Sequence, residues 1–270
     1  MTRRSGIITL TSDFGTRDAY VGAMKGVICS ILPSARIVDI THEIRPQKVL
    51  EAAILLEAAY CWFPPGTVHV VVVDPGVGTK RRPLAVEADG QLFVGPDNGV
   101  LSAPLSGKRV RAHEITETSY ELPYRSDTFH GRDVFAPAAG HLASGIEVDR
   151  LGADISGFVL LDLPKPVVKD DRIVGEILRT DRFGNAISNI PRSLLSRIGP
   201  GGYEVVASGQ SFGKLRRRFQ DVAEGESLPL TGGTGRIEIA VNGGSAAERW
   251  GLQAGDPIEI KPLSSDDRDA

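Results

Sequence analysis

Apolar and polar positions along the chain follow two periods in turn. Ile7–Ser12 is a short apolar run that ends at Asp13. Tyr20–Leu32 carries apolar residues at helical spacing and stops at Pro33. Ile37–Ile40 reads as a strand with Thr41-His42 at its end. Lys48–Trp62 reads as an amphipathic helix halted by Pro64-Pro65-Gly66. Val68–Val73 is β-branched and nearly continuous, as a strand buried on both faces should be, and it ends at Asp74-Pro75-Gly76. Repeated strand–helix–strand units predict parallel pairing through right-handed crossovers.

The pattern then changes. Leu84–Ala88 and Gln91–Gly95 flank Asp89-Gly90, a two-residue hairpin signal, and Gly95–Gly99 reads as a turn. Val110–His113 predicts another strand. Asp133–Ser144 predicts a helix that tolerates Pro137 only near its first turn. A break falls at Leu163-Pro164-Lys165-Pro166. Beyond it, Arg172–Arg179, Tyr203–Ala207, Arg236–Val241 and Pro257–Lys261 read as strands between glycine-rich turns. Ser245-x-x-Glu248 is a capping box for one short helix ending at Gly251. The expected fold is a parallel-rich α/β domain over residues 1–165, then a small β-barrel over 166–263. Residues 264–270 would form a frayed polar tail.

Composition narrows the class. Hydrophobic residues make up 41% of the 270 positions and charged residues 24%, enough apolar material for real cores. The net charge of −3 is too close to neutral for nonspecific nucleic-acid binding, and Arg216-Arg217-Arg218 reads as a solvated run. No apolar run reaches the ~20 residues of a membrane span, and the start does not read as a signal peptide. The expectation is a soluble cytoplasmic protein. Two cysteines, Cys29 and Cys61, exclude a disulfide scaffold or a cysteine-rich zinc site. Both are expected to be buried free thiols. The thirty-one glycines, with no low-complexity tract, must serve tight turns and close backbone approaches.

Ligands in an open parallel sheet sit beyond the carboxyl ends of the strands, and Asp13, His42 and Asp74 lie at three such ends. For each alone, an Asx or Ser/Thr turn is the ordinary role. Asp74-Pro75-Gly76-Val77-Gly78-Thr79-Lys80-Arg81-Arg82 is the densest motif. It is neither a Walker loop nor a dinucleotide fingerprint. It is either a glycine-rich turn with a solvated basic pair, or a carboxylate held against a guanidinium. Phe129-His130-Gly131-Arg132-Asp133 puts a histidine before a helix start, with a glycine that admits a ligand. His42, His69, His113 and His141 lack such a setting and read as structural. Thr180-Asp181-Arg182-Phe183-Gly184-Asn185 offers a carboxylate, a ring and an amide, a set suited to a purine, or else a loop with a packed Phe.

Taken in order, Thr11-Ser12-Asp13-Phe14-Gly15 with Asp18, Asp39-Ile40-Thr41-His42, the Asp74 motif, the His130 motif, Asp181–Asn185 and Ile239-Ala240-Val241-Asn242 form a specific set. Over about residues 5–262 the chain resembles the S-adenosylmethionine hydroxide adenosyltransferases, relatives of the fluorinase and chlorinase enzymes. The resemblance implies cleavage of S-adenosylmethionine to adenosine and methionine, with no cofactor or metal. It implies a catalytic set of Asp74, Arg81 and His130, Arg81 rather than Arg82 matching the spacing from the acid. It places Asp13 at the ribose, with Asp18 and Gly131 also on the substrate. Asp181 would stand near the methionine amine, and Phe183 and Asn185 on the adenine side. Gly233-Thr234 and Val241-Asn242 would be further contacts. It also implies a homotrimer with sites between protomers.

The fluorinase-like branch carries Tyr at the position of Asp74 and Trp near that of Gln47. A carboxylate repels halide and accepts a hydrogen bond from water, so the departures favour hydrolysis. The expected chemistry is in-line attack of water or hydroxide at C5′, with Asp74 and His130 both candidates for the proton. Two other classes compete: a nonenzymatic adenosine or S-adenosylmethionine sensor, and a metal-dependent phosphohydrolase using Asp13, Asp18, Asp74 and His130.

Overall fold

The computed structural model describes residues 4–199 and 202–263. The chain divides into two compact units, Met1–Leu163 and Pro164–Ala270. The 264–270 tail lies outside the described residues.

The first unit is built on a six-stranded sheet of β1 (Ile7–Ser12), β2 (Arg36–Thr41), β3 (Val68–Val72), β4 (Pro83–Ala88), β5 (Gln91–Pro96) and β6 (Val110–Glu114), in the order β2-β1-β3-β5-β4-β6. β1 pairs in parallel with β2 and β3, and β3 with β5. The β4–β5 hairpin and β6 are antiparallel. Asp89 (φ 49°) and Gly90 (φ 73°) both adopt the left-handed backbone that a tight two-residue hairpin turn needs.

Helices cover both faces. α1 (Tyr20–Ile31) and α4 (Ala136–Ser144) share one core with Ile8, Leu10, Val70 and Val72. α2 (Val49–Tyr60) and α3 (Ser102–Leu105) share the other with Val71, Val73, Val86 and Phe93. β3 thus feeds two cores from alternate positions. That is why it reads as an unbroken apolar run rather than an alternation. Each fully buried Val there contributes about 1.5–3 kcal/mol.

Two expectations are corrected. Cys29 and Cys61 are exposed, not buried. The core face of α1 is Val21, Met24 and Ile28, and Cys29 lies one position, about 100°, past it. Cys61 stands just beyond the last residue of α2. The expected 133–144 helix also begins earlier. Gly131–Phe135 forms a wide π-type turn leading into α4, and the Ala136 N–H reaches the Gly131 carbonyl. Pro137 sits in the first turn of α4, as its missing N–H requires.

The second unit is an antiparallel sheet in the order β11-β10-β14-β8-β9-β13-β12, with β7 added beside β8. The strands are β7 (Val167–Lys169), β8 (Arg172–Thr180), β9 (Ala186–Pro191), β10 (Tyr203–Ala207), β11 (Gln210–Lys214), β12 (Ser227–Thr231), β13 (Arg236–Val241) and β14 (Pro257–Pro262). The Arg216 N–H, just past β11, donates to the Pro229 carbonyl of β12 at 2.8 Å, bringing the two edges together into a nearly closed barrel. α5 (Ala246–Trp250) is capped by Ser245, whose hydroxyl accepts the Glu248 N–H, and ends at Gly251 in the left-handed region. Among the described residues no helix is long and apolar enough to cross a membrane.

Candidate active site

In the first unit, a cavity of about 420 Å³ opens beyond the carboxyl ends of β1 and β3. Asp13 follows β1 directly and Asp74 follows β3 after one residue. The loop from β3 turns back, so that Arg81 Nε lies 3.0 Å from each oxygen of Asp74, and Arg81 Nη2 also donates to Oδ2. The same Nη2 reaches Nδ1 of His130 at 2.7 Å. Both ion-pair side chains are almost buried, Arg81 at 8% and Asp74 at 5% exposure. The Arg81 guanidinium also lies over the Phe135 ring, 5.3 Å from its centre, and its Nη1 is buried with no hydrogen-bond partner among the described residues.

The neighbouring arginine does something else. Arg82 donates to Asp97 Oδ2 from Nε (2.9 Å) and Nη2 (2.6 Å), and to the Gly157 carbonyl. Asp97 in turn accepts the Val159 N–H. Adjacent residues on an extended segment point apart, so one guanidinium enters the cavity wall and the other anchors a loop.

His130 is held by the turn that precedes α4. Asp133 is fully buried and accepts from the Ser126 N–H and from Arg132, which pins the loop entering the motif. His130 has a pKa below the usual histidine value because it is buried, and next because Arg81 and then Arg125 stand beside it. Arg125 Nε lies 3.4 Å from Nε2 of His130, while its Nη1 is paired with Glu121 at 3.0 Å. A guanidinium only donates, so each of the two asks a His130 nitrogen to accept: Arg81 Nη2 at Nδ1 (2.7 Å) and Arg125 Nε at Nε2 (3.4 Å). A neutral ring accepts at only one of them, and the much shorter approach assigns the lone pair to Nδ1 and the proton to Nε2, so the long Arg125 approach is not a hydrogen bond in that state.

Asp13 Oδ2 accepts the Gln47 N–H at 2.8 Å, which fixes the loop after β2 on the cavity wall. Phe14, Tyr20 and Phe129 cluster at centroid distances of 5.2–5.8 Å, with Phe129 edge-on to the other two and Phe14 tilted by 46° to Tyr20, and they line the same cavity.

The second unit has its own cavity, of about 760 Å³, lined by Asp181, Phe183, Asn185, Gly233, Glu238 and the 241–245 segment among others. Asp181 organises its loop. Oδ1 accepts the Phe183 and Asn185 N–H groups and Oδ2 the Asn185 side-chain amide, each at 2.9 Å. Phe183 is left 75% exposed, an uncovered ring beside a fixed amide.

Residues 8–152 match the SAM hydroxide adenosyltransferase N-terminal domain model, and residues 175–259 match that family's C-terminal domain. The chain belongs to the SAM hydroxide adenosyltransferase family. An (R)-S-adenosyl-L-methionine hydrolase of Salinispora tropica is 38% identical over 94% of this chain and 97% of its own length. A hydrolase of the same name from Thermus thermophilus is 39% identical over 92% of this chain and 97% of its own. The crystal structure of a conserved protein from Thermotoga maritima superposes with a TM-score of 0.89 at 40% identity, covering 94% of this chain and 99% of that one.

Against this family's expected site, Asp13, Asp74, His130 and Gly131 line the first cavity, and Arg81 braces two of them from behind. Asp181, Phe183, Asn185, Gly233, Val241 and Asn242 line the second. Asp18 is exposed and lines neither, and Thr234 is exposed in the β12–β13 turn. His42 bonds Ser12 Oγ at 2.7 Å and lies 3.1 Å from Asp39, and His69 bonds Thr9 Oγ1 at 2.8 Å. Among the described residues no three His, Cys, Asp or Glu side chains are grouped to hold a metal.

Tyr20 and Glu238 are two lining residues that escaped the sequence reading. Tyr20 carried a weak signal, as the first residue of a helix. Glu238 carried a stronger one, a lone carboxylate between two isoleucines in a strand.

Proposed function

We propose that this protein hydrolyses S-adenosyl-L-methionine to adenosine and L-methionine. The observation that carries the reading is a carboxylate, Asp74, presented to the first cavity and fixed there by Arg81, with His130 on the same guanidinium. The hydrolase names of the relatives support it.

Water attacks C5′ of the ribose in line with the C–S bond. The new C–O bond forms as the C–S pair leaves with methionine, so the sulfonium charge is discharged and no general acid is needed. The oxygen gains positive character in the attack, and its proton becomes far more acidic than that of free water. A carboxylate paired with arginine is basic enough to receive it, so Asp74 takes the proton. His130, protonated on Nε2, donates to the incoming oxygen and orients it. Such assistance is worth about 10²–10⁴-fold, and alignment with exclusion of bulk water supplies the rest. A chloride or fluoride ion in this position would meet the Asp74 carboxylate, which disfavours halogenation.

We place Asp13 at the ribose hydroxyls and Phe183 with Asn185 at the adenine. One protomer of a homotrimer would supply the Asp74 cavity and its neighbour the Asn185 loop. Large exposed side chains such as Trp62, Tyr124 and Phe183 are surfaces that such an assembly would cover.

The test is direct. EDTA-treated protein incubated with S-adenosylmethionine should release adenosine and methionine in equal amounts. No turnover anywhere from about pH 6 to 10 overturns the reading.

A further inference from the structure

The mechanism leaves one buried carboxyl unused. Glu238 stands in β13 between Ile237 and Ile239, whose side chains enter the barrel core, and itself faces the second cavity. It is 7% exposed, and among the described residues no hydrogen bond or ion pair reaches its oxygens. Its carboxyl group lies against the backbone of Gly232. A β-carbon at that position would fall 2.0 Å from Oε2, so the turn is bare where the carboxyl needs room.

Asp181, expected to meet the substrate amine, is largely committed elsewhere. Three N–H groups of its own loop occupy its two oxygens, out of roughly four acceptor positions on a carboxylate. Glu238 has all of its acceptor positions open.

We propose that Glu238 is the main acceptor for the primary ammonium group on the amino-acid end of the substrate, with Asp181 shaping the loop beside it. This rests on the reading that the substrate is S-adenosylmethionine. A cation suits the pocket better than a neutral donor. The charged groups that face Glu238 are Asp181, from the β8–β9 loop, and Arg179 of β8, while the β12–β13 turn contributes no charge. Burial first, and then Asp181, push the Glu238 carboxyl up to about 7, with Arg179 opposing. An ammonium relieves the repulsion between the two acids and displaces the Glu238 proton into solvent. Affinity therefore rises with pH up to about 7 and then levels.

The experiment is calorimetric titration at pH 6 in buffers of different ionisation enthalpy. One ligand is S-adenosylhomocysteine, which keeps the ammonium. The other is 5′-deoxy-5′-methylthioadenosine, which lacks it. The intact protein should release about 0.9 proton per S-adenosylhomocysteine bound and almost none with methylthioadenosine. Glu238→Gln should abolish the release and weaken S-adenosylhomocysteine about 10–100-fold. Its methylthioadenosine affinity should stay within about twofold, which also reports that the variant is folded. Proton release that survives in Glu238→Gln, or equal weakening of both ligands, overturns the proposal while leaving the substrate reading intact. If the intact protein binds neither ligand, the substrate reading fails and the proposal fails with it.

Discussion

Arg81 and His130 are joined through Nη2 and Nδ1 at 2.7 Å, by the same nitrogen that contacts Asp74. One guanidinium therefore sets both the position of a carboxylate and the tautomer of an imidazole. Replacing Asp74 by Asn keeps the volume but removes the proposed proton acceptor. The expected result is a kcat lower by about 10²–10⁴-fold with substrate affinity changed less than about threefold. Steady-state kinetics with a parallel binding titration checks this. Equal losses in both would make Asp74 a binding residue instead.

The two adjacent arginines should separate cleanly. Arg81→Ala leaves Asp74 without its partner and His130 without its donor, and should lower kcat by at least about 10²-fold. Arg82→Ala breaks the contacts to Asp97 and the Gly157 carbonyl, remote from the cavity. It should cost about 1–3 kcal/mol of stability, because Asp97 is left buried with fewer donors, and leave kcat within about threefold. Chemical denaturation and kinetics on both variants decide it. A large kcat loss in Arg82→Ala would overturn the division of roles.

The acid side of the rate profile should report His130. The ring must be neutral for Nδ1 to accept from Arg81, and its pKa is lowered by burial, then by Arg81 and Arg125. Activity should thus persist below the ordinary histidine value of about 6.5 before it falls. Arg125→Ala removes one neighbouring positive charge and should move that acid limb to higher pH, with little change in the plateau. A plot of kcat against pH for both proteins is the measurement. An unmoved limb would mean that another group controls it.

The order of elements was legible in the first unit because its signals are local. β3 and the Asp89-Gly90 hairpin announce themselves by branching and by turn chemistry. The second unit was half legible. β9, β11 and β12 carry Ser, Asn, Gly or Pro in their interiors, which read as turns in isolation. Their polar groups are satisfied only by pairing, as when Ser188 Oγ bonds the Ile237 carbonyl and the Pro229 carbonyl takes the Arg216 N–H. Asp74, Arg81 and His130 stood out because acid, base and glycine cluster tightly in sequence. The choice between Arg81 and Arg82 needed side-chain direction, and the open state of Glu238 needed the loop bonds of Asp181.

Stability should carry a separate pH signature from His69. Its side chain is fully buried, stacks on Phe93 at 5.2 Å, and burial lowers its pKa to about 4. The folded state therefore binds its proton less readily than the unfolded chain. Stability from this group is complete above about pH 6.5, declines as pH falls, and levels near pH 4. Between pH 7.5 and 4.5 the loss should be about 2.5 kcal/mol. Urea midpoints at the two values check it, and His69→Gln should flatten that part of the difference. An unchanged slope in the variant would assign the effect to other groups.

Gly78 should be the least replaceable of the loop glycines around Asp74. Its φ is +76°, and a β-carbon there would lie 2.4 Å from the Asp127 carbonyl oxygen, on the segment that leads into His130. Gly76 is milder: its backbone is not left-handed, and a β-carbon would stand 3.3 Å from the Arg81 Cγ, 3.5 Å from Thr79 Oγ1 and 3.8 Å from Asp74 Oδ1, contacts that ask for a shift of a few tenths of an ångström. Gly78→Ala would have to bear about 1–2 kcal/mol of left-handed backbone strain and also push the Asp74 loop away from the His130 loop. The contact through Arg81 spans those two loops, so separation of even 1 Å stretches it. The expected outcome is a kcat lower by about 10–100-fold, with melting lowered by about 4–8 °C at most, whereas Gly76→Ala loses less in both. Kinetics and thermal melts on the pair test this. Parent-like kcat in Gly78→Ala would show that each loop holds Asp74 or His130 in place without the other.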